Sequence, residues 1–271
     1  MNERPVALVT GASRNIGIAI AKRFAKEGYN VVITSTRQES ADASAAEIQK
    51  MYPDIIAKGY QMYSNETDSI DRAFARLRED FGRIDALVAN AADPGYNQSI
   101  LSTTPEQFDY VMNTNARGYF FCSQYAAKLM IEKNIKGSIV LIGSVHSKGA
   151  IPNRIVYASS KGAIDTMNRN MCYELGKFGI RSNLIVVGAV CNDRWADYTP
   201  EDYEKKRANW PLGMESYPDD IANAAYFLSS DQAKTISGSE MTVDSGVMSV
   251  LLSYNKNWDA ELDDRQKFMK K

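Results

Sequence analysis

Residues 6–17 read Val6-Ala7-Leu8-Val9-Thr10-Gly11-Ala12-Ser13-Arg14-Asn15-Ile16-Gly17. A short apolar run stops at Thr10, a turn bearing Gly11 follows, and Ile16, Ile20 and Phe24 then recur at helical spacing as far as Gly28. The stretch is a strand, a tight turn and a helix in succession. The same alternation continues outward. Strands are predicted at Val31–Thr34, near Gly59–Tyr63, at Ala86–Ala89, Ser138–Ile142 and Ser182–Val187, and near Met241–Val243. Helices are predicted at Ala41–Met51 (closed by Pro53), Ser69–Phe81, a long Glu106–Lys133, about Tyr157–Lys177, and Asp219–Ser229. Apolar strands alternating with helices indicate an α/β fold: a doubly wound parallel sheet of about seven strands with helices on both faces. Ligands in such sheets bind beyond the carboxyl ends of the strands. The loops at 10–17, 34–37, 89–95, 143–147 and 187–215 are therefore expected to share one cleft.

Composition narrows the function. The chain has 271 residues, 44% of them apolar and 24% charged, enough for a packed core. Residues 1–250 read as a single domain and 251–271 as a C-terminal extension, with no internal repeat. A net charge of -1 from 32 basic and 33 acidic residues offers nothing to a polyanion, so no nucleic-acid partner is expected. No apolar run is long enough for a bilayer, and the N-terminus lacks a signal-peptide pattern; the expectation is a cytoplasmic protein without a membrane partner. Cys122, Cys172 and Cys191 are scattered, and His146 is the one histidine. Such a set builds no zinc site, so no metal is expected and zinc-type alcohol dehydrogenase chemistry is set aside.

Gly11 and Gly17 let a backbone turn approach a phosphate at a helix N-terminus, although alone they also suit a bare strand-to-helix turn. No Gly-Lys-Ser/Thr triplet occurs, which excludes a triphosphate P-loop. The second strand ends Thr34-Ser35-Thr36-Arg37, without the acid that usually bonds the ribose 2′-hydroxyl of NAD. Arg14 and Arg37, with Ser35 and Thr36, suit a 2′-phosphate, because guanidinium groups grip phosphate in a two-pronged way. NADP(H) is expected over NAD(H).

Tyr157 and Lys161 stand four residues apart on one helical face. A lysine cation favours the phenolate of a nearby tyrosine, and such a phenol can give a proton to a carbonyl oxygen or take one from an alcohol. Ser144 ends the fifth strand, and its hydroxyl can polarise the same oxygen. Asn115 lies inside the long helix, where a polar side chain can hold a water leading to Lys161, or simply bond locally.

Together these residues resemble the short-chain dehydrogenases/reductases over about Val6–Met248. The resemblance rests on Thr10-Gly11 through Gly17, Leu87-Val88-Ala89-Asn90-Ala91-Ala92, Asn115, Ser144, and Tyr157 with Lys161. It implies a Rossmann-type domain, a nicotinamide cofactor and hydride transfer at a carbonyl carbon. By position it makes Tyr157 the general acid/base and Lys161 a ribose-binding partner of that tyrosine. Ser144 becomes the residue that positions substrate, and Asn115 a support for the proton relay. The cofactor set it implies is Gly11, Ser13, Arg14, Asn15, Ile16, Gly17, Ser35, Thr36, Arg37, Asn65, Asn90, Ala91, Tyr157, Lys161, Gly188 and Val190. The chain departs from the family pattern at Asn15, Ala89, Ala92, Val187, Asn192 and Ser245.

Substrate choice is expected in the loop 191–215, which carries Trp195, Tyr198, Tyr203 and Trp210. These aromatics suit packing on a sugar ring, or holding the loop to the body. Ser144, His146, Tyr157 and Trp195 are the candidate substrate contacts. The segment from Ser144 to Lys161 is most similar to sugar and polyol dehydrogenases of the family, glucose dehydrogenase among them; Gly143-Ser144-Val145 also resembles 3-oxoacyl carrier-protein reductases. Against the latter, Tyr173 and Phe178 stand where an acidic carrier would meet arginines. The leading expectation is an oxidoreductase on a small polar carbonyl or alcohol. A 3-oxoacyl thioester or steroid/ketone reductase is the alternative, and an NADP(H)-binding sensor or scaffold the reading from another class. The resemblance also implies a homotetramer or homodimer built on the two long helices, with the tail and its Trp258 reaching a neighbouring cleft.

Overall fold

The computed structural model describes residues 4–250 apart from 209. The expected extension at 251–271, including Trp258, lies outside the described residues.

Seven parallel strands form one sheet in the order β3-β2-β1-β4-β5-β6-β7. They are β1 (Val6–Val9), β2 (Asn30–Ser35), β3 (Ala57–Gln61), β4 (Ala86–Ala89), β5 (Ser138–Ile142), β6 (Arg181–Val187) and β7 (Glu240–Val243). The helices are α1 (Asn15–Lys26), α2 (Gln38–Met51), α3 (Thr67–Phe81), α4 (Pro105–Met112), α5 (Gly118–Glu132), α6 (Ile155–Gly176), α7 (Pro200–Arg207) and α8 (Pro218–Ser229). The strand order reverses between β1 and β4, where the crevice of a doubly wound sheet opens.

Side chains alternate across the sheet because successive residues of a strand face opposite ways. Ala7 and Val9 of β1, with Val140 and Ile142 of β5, pack under α1, α2 and α8. Val6, Leu8, Ile139 and Leu141 pack under α3, α5 and α6. Leu8 and Phe24 are wholly buried, each worth about 1.5–3 kcal/mol over an exposed position. The two cores fix the strand ends that carry the site.

Three expectations are corrected. The long helix at 106–133 is interrupted by a π-helical turn at Asn113–Arg117, between α4 and α5. A wider turn inserts one extra residue and rotates what it carries, which is frequent at functional sites. The loop 191–215 contains a helix of its own, α7, which starts with a capping box between Thr199 and Asp202 and has Pro200 in its first turn. Helix α6 begins at Ile155, so Tyr157 lies within its first turn. Among the described residues no helix is long and apolar enough to cross a membrane, and no three His, Cys, Asp or Glu side chains are grouped as metal ligands.

Candidate active site

The turn after β1 is built from backbone. Thr10 accepts two amide protons through Oγ1, from Asn90 and Ala91, both at 2.9 Å, so the ends of β1 and β4 are stitched together. Asn90 Nδ2 donates to the carbonyl oxygens of Thr10 (2.9 Å) and Gly11 (3.1 Å). Gly11 takes a φ of +61°, and a Cβ there would stand 2.8 Å from Ala91 Cα. A Cβ on Gly17 would stand 2.5 Å from the Gly11 carbonyl oxygen. Asn15 adopts φ +50°, a conformation asparagine tolerates better than most residues.

Helix α1 has no side-chain N-cap and no acid in its first turn. Its first intrahelical bond runs from the Ile18 amide to the Arg14 carbonyl. The amides of residues 15–17 thus lack intrahelical partners at the positive end of the dipole. The carbonyls of Thr10 and Gly11 are turned toward Asn90, and the amides of residues 15–17 are left for an anion. This helix start fits a diphosphate. One carboxylate stands against it. With the amide nitrogen of Asn15 on the side that its hydrogen bonding requires, Nδ2 donates to both oxygens of Asp193 at 3.1 and 3.2 Å.

The end of β2 lies beside this turn. Gly11 donates to Thr34 Oγ1 (3.2 Å), and Ala12 to the Thr34 carbonyl (2.9 Å). Ser35 is buried, whereas Thr36 and Arg37 are exposed just beyond it. Arg14 and Arg37 are both exposed, at the starts of α1 and α2, and neither makes an ion pair among the described residues. Asn65, beyond β3, accepts from Arg117 through its carbonyl at 3.3 Å. Across the crevice, a Cβ on Gly188 would meet Asp244 Cβ at 2.6 Å. Val190 and Ile16 contribute to the core beneath α1 and α8, Val190 being 6% exposed.

The polar centre sits over β5. Lys161 is 2% exposed. Its Nζ donates to the Ile142 carbonyl at 2.7 Å and to Tyr119 Oη at 3.2 Å, and lies 5.7 Å from the Tyr157 ring centroid. Burial lowers its pKa from 10.5 to about 7, with Asp165 one turn further along α6 opposing that fall. Tyr119 is fully buried, donates to the Ile142 carbonyl at 3.1 Å, and is held well above the ordinary phenol pKa by burial. Ser144 follows Ile142 by two residues, is buried, and accepts from the His146 amide at 3.2 Å. The His146 ring meets the Tyr157 ring edge-on, centroids 5.4 Å apart at 85°. Burial, then the charge of Arg154, lowers the His146 pKa and keeps the imidazole neutral at pH 7. Tyr157, Lys161, Ser144 and His146 are thus brought together by the end of β5 and the start of α6.

Asn115 is wholly buried in the π turn. Its Nδ2 donates to the Asp93 carbonyl (2.9 Å) and to Ser160 Oγ (3.0 Å), while Oδ1 accepts from the Asp93 amide (2.8 Å). Ser160 in turn donates to the Tyr157 carbonyl at 2.7 Å. Both amide protons of Asn115 are committed to protein, so its side chain positions the loop after β4 and helix α6 instead of donating to a water toward Lys161. Arg154 donates to the Pro94 carbonyl at 3.1 Å and ties the same loop from the other side.

Of the two roles open to Trp195, packing on a sugar ring or holding its loop, the packing observed is of the second kind. Trp195 is 8% exposed, stacked on Tyr198 (5.3 Å, 16°) and Trp210 (6.0 Å, 21°), with Lys206 Nζ 5.1 Å from its ring. The aromatics hold the segment together. Arg207 adds a two-pronged bond to Glu215 at 2.8 and 2.9 Å, and the carboxylate, 2% exposed, also accepts from Tyr217 Oη at 2.7 Å.

Sequence reasoning missed Tyr119 and Gln98, and named Thr10 only as part of the turn motif. Tyr119 reads as one more aromatic on an apolar helix, and only the strand beneath it reveals its contact with Lys161. Gln98 lies in an unpatterned loop, yet with Tyr96, Gly95, Val111 and Tyr157 it lines a pocket.

The family model described as Enoyl-(Acyl carrier protein) reductase matches residues 11–248. The chain is 34% identical over 251 residues to a 3alpha-hydroxysteroid dehydrogenase of Mediterraneibacter gnavus, covering 92% of this chain and 99% of that protein. It is 31% identical over 247 residues to glucose 1-dehydrogenase 2 of Bacillus subtilis, covering 89% and 93%. The structure superposes on the crystal structure of a short chain dehydrogenase from Bacillus anthracis with a TM-score of 0.81 at 33% identity, covering 93% of this chain and 98% of that one.

Proposed function

The chain belongs to the short-chain dehydrogenase/reductase family, and from that membership we propose an NADP(H)-dependent oxidoreductase acting on a small polar, sugar- or polyol-like carbonyl or secondary alcohol, with Tyr157 as general acid/base. The observation that carries this reading is the buried Lys161 ammonium, held by the Ile142 carbonyl 5.7 Å from the Tyr157 ring and two residues before Ser144. A lysine in that position has no packing reason to be inside; its burial costs free energy that a proton-transfer role explains.

A bound nicotinamide supplies or accepts the hydride. In the reducing direction Tyr157 gives its phenolic proton to the substrate oxygen, and in the oxidising direction it takes the hydroxyl proton. Lys161, in its charged form, favours the phenolate left behind. The Ser144 hydroxyl donates to the same oxygen and fixes the carbonyl plane. Asn115, through Ser160, holds the first turn of α6 so that the phenol faces the cleft.

Arg14 and Arg37, exposed at the starts of α1 and α2 and without ion pairs among the described residues, support a 2′-phosphate and hence NADP(H). In a 340 nm assay, Arg37→Asp is expected to raise the KM for NADPH at least tenfold more than that for NADH; equal losses defeat the phosphate clamp. The likeness to a hydroxysteroid dehydrogenase favours a second reading, a steroid or ketone reductase. A panel of sugars, polyols, steroids, acyl thioesters and short ketones separates the two by kcat/KM. Tyr173, 88% exposed on α6, supports a homo-oligomer built on the long helices, and a monomer by light scattering overturns it.

A further inference from the structure

A small pocket beside Tyr157 lies between the loop after β4, helix α4 and the first turn of α6. Its walls are not uniformly apolar: Tyr96, Gln98, Thr103 and Gln107 contribute to them. Gln107 Oε1 already accepts from the Thr104 amide at 3.0 Å, inside the capping box of α4. Thr103 Oγ1 already donates to the Ser99 carbonyl at 2.8 Å.

Gln98 differs. Its Oε1 is buried and has no hydrogen-bond partner among the described residues. An amide oxygen has two lone pairs and accepts only, and leaving one buried and unpaired costs about 1–3 kcal/mol. A second orphan lies against the same phenol. His146 Nδ1 is buried without a partner, on the ring that meets Tyr157 edge-on. Asn115, Ser160 and Lys161 all have named partners. Other buried polar atoms without a partner among the described residues, such as Asp165 Oδ1 and Ser123 Oγ, lie outside the pocket lining, whereas Gln98 Oε1 belongs to the lining beside Tyr157, where a ligand's donor can complete it.

We infer that Gln98 is a specificity-determining residue whose Oε1 accepts a hydrogen bond from a substrate hydroxyl on a carbon neighbouring the reacting one, so that the preferred substrates are hydroxyketones and the matching vicinal diols. This rests on the proposed dehydrogenase reading and deepens it, because that reading leaves the hydroxyl requirement and its reader unassigned. A site that hydrogen-bonds a substrate hydroxyl rejects the analogue lacking it, since the buried polar atom is then left unpaired.

The test uses matched pairs with the full chain and both NADPH and NADH: 3-hydroxy-2-butanone against 2-butanone, and hydroxyacetone against acetone. The wild type is expected to favour the hydroxylated member by about tenfold or more in kcat/KM. Gln98→Leu is expected to bring that ratio within about threefold of unity, whereas Gln98→Glu, which keeps an acceptor, preserves most of it. Using a ratio within one protein cancels partial misfolding, and thermal melts of both variants check the fold. A wild-type ratio near one, or a ratio unchanged in folded Gln98→Leu, overturns the assignment of Gln98. Absence of turnover with every carbonyl despite cofactor binding overturns the dehydrogenase reading itself and this inference with it.

Discussion

The proposed proton-transfer centre and the aromatic segment between β6 and α8 lie at the same end of the sheet, yet they are held in different ways. Tyr157, Lys161 and Asn115 stand on helical backbone: Lys161 donates into the end of β5, Asn115 donates to Ser160 on α6, and Ser160 donates to the Tyr157 carbonyl within the same helix. Trp195, Tyr198, Tyr203 and Trp210 hold mostly one another, with α7 and the Arg207–Glu215 pair closing the group. The first arrangement transmits the geometry of the whole sheet to one phenol. The second is a unit that keeps its own shape. A site that needs sub-ångström placement is built on regular elements, and a cover needs only internal cohesion.

The contrast can be broken or sharpened by substitution. The largest effect is expected from Tyr157→Phe, which keeps the ring and removes the acid: kcat/KM should fall on the order of 10³-fold, with an unchanged melting temperature. Turnover within tenfold of the wild type would move the acid elsewhere. Asn115→Ala should come next, because it strands the Asp93 amide and carbonyl and Ser160 together. A loss of about 2–3 kcal/mol in stability should accompany a fall in kcat, and urea unfolding with parallel kinetics measures both. If only stability falls, the site does not depend on that positioning.

Arg207→Ala acts on the other region. It leaves the Glu215 carboxylate buried without its cation, but Arg207 is about a third exposed, so a smaller loss of stability is expected than for a fully buried pair. Limited proteolysis should then cut within 191–217 first, with kcat little changed. The guanidinium holds the Glu215 carboxyl at about 2 against an ordinary 4.5. The pair's contribution is therefore complete above pH 4.5 and is lost as pH falls toward 2. Wild type and variant should converge in acid; a gap that persists at pH 2 contradicts this.

The smallest effect is a difference of differences. Lys161 has a folded pKa of about 7 against 10.5 in the unfolded chain. Between these values the unfolded state binds more protons, so wild-type stability rises with pH; below 7 both states are charged and the burial penalty is complete. Lys161→Met removes that titration. Its melting temperature relative to wild type should be a few degrees higher at pH 6 than at pH 9, without cofactor. No change in that difference would mean that the lysine stays charged inside.

Much of the regular framework was legible in the sequence, because burial on both faces writes itself as short apolar runs. Tyr157, Lys161 and Ser144 were legible too, since helical spacing and a strand end suffice to bring them close. The π turn was not: its apolar pattern passes for one long helix, and the extra residue is needed only so that Asn115 can reach Asp93 and Ser160. Helix α7 was hidden because none of its residues is buried, leaving no apolar stripe to read. Trp195 left two roles open, for a tryptophan in a loop signals bulk without saying which neighbour it stacks on. Gln98 lacks any local signal; its meaning comes from an atom without a partner.

The loop after β4 is pinned at its start by Asn115 and Arg154 and at its end by the capping box of Thr104 and Gln107. Between those pins residues 96–103 form a replaceable panel. Exchanging Tyr96 or Gln98 changes what the pocket admits while the acid, its lysine and the cofactor turn keep their places. On the proposed reading, substrate preference is retuned by one or two substitutions in a segment that neither core uses, and laboratory selection for new alcohols should find its winners there first.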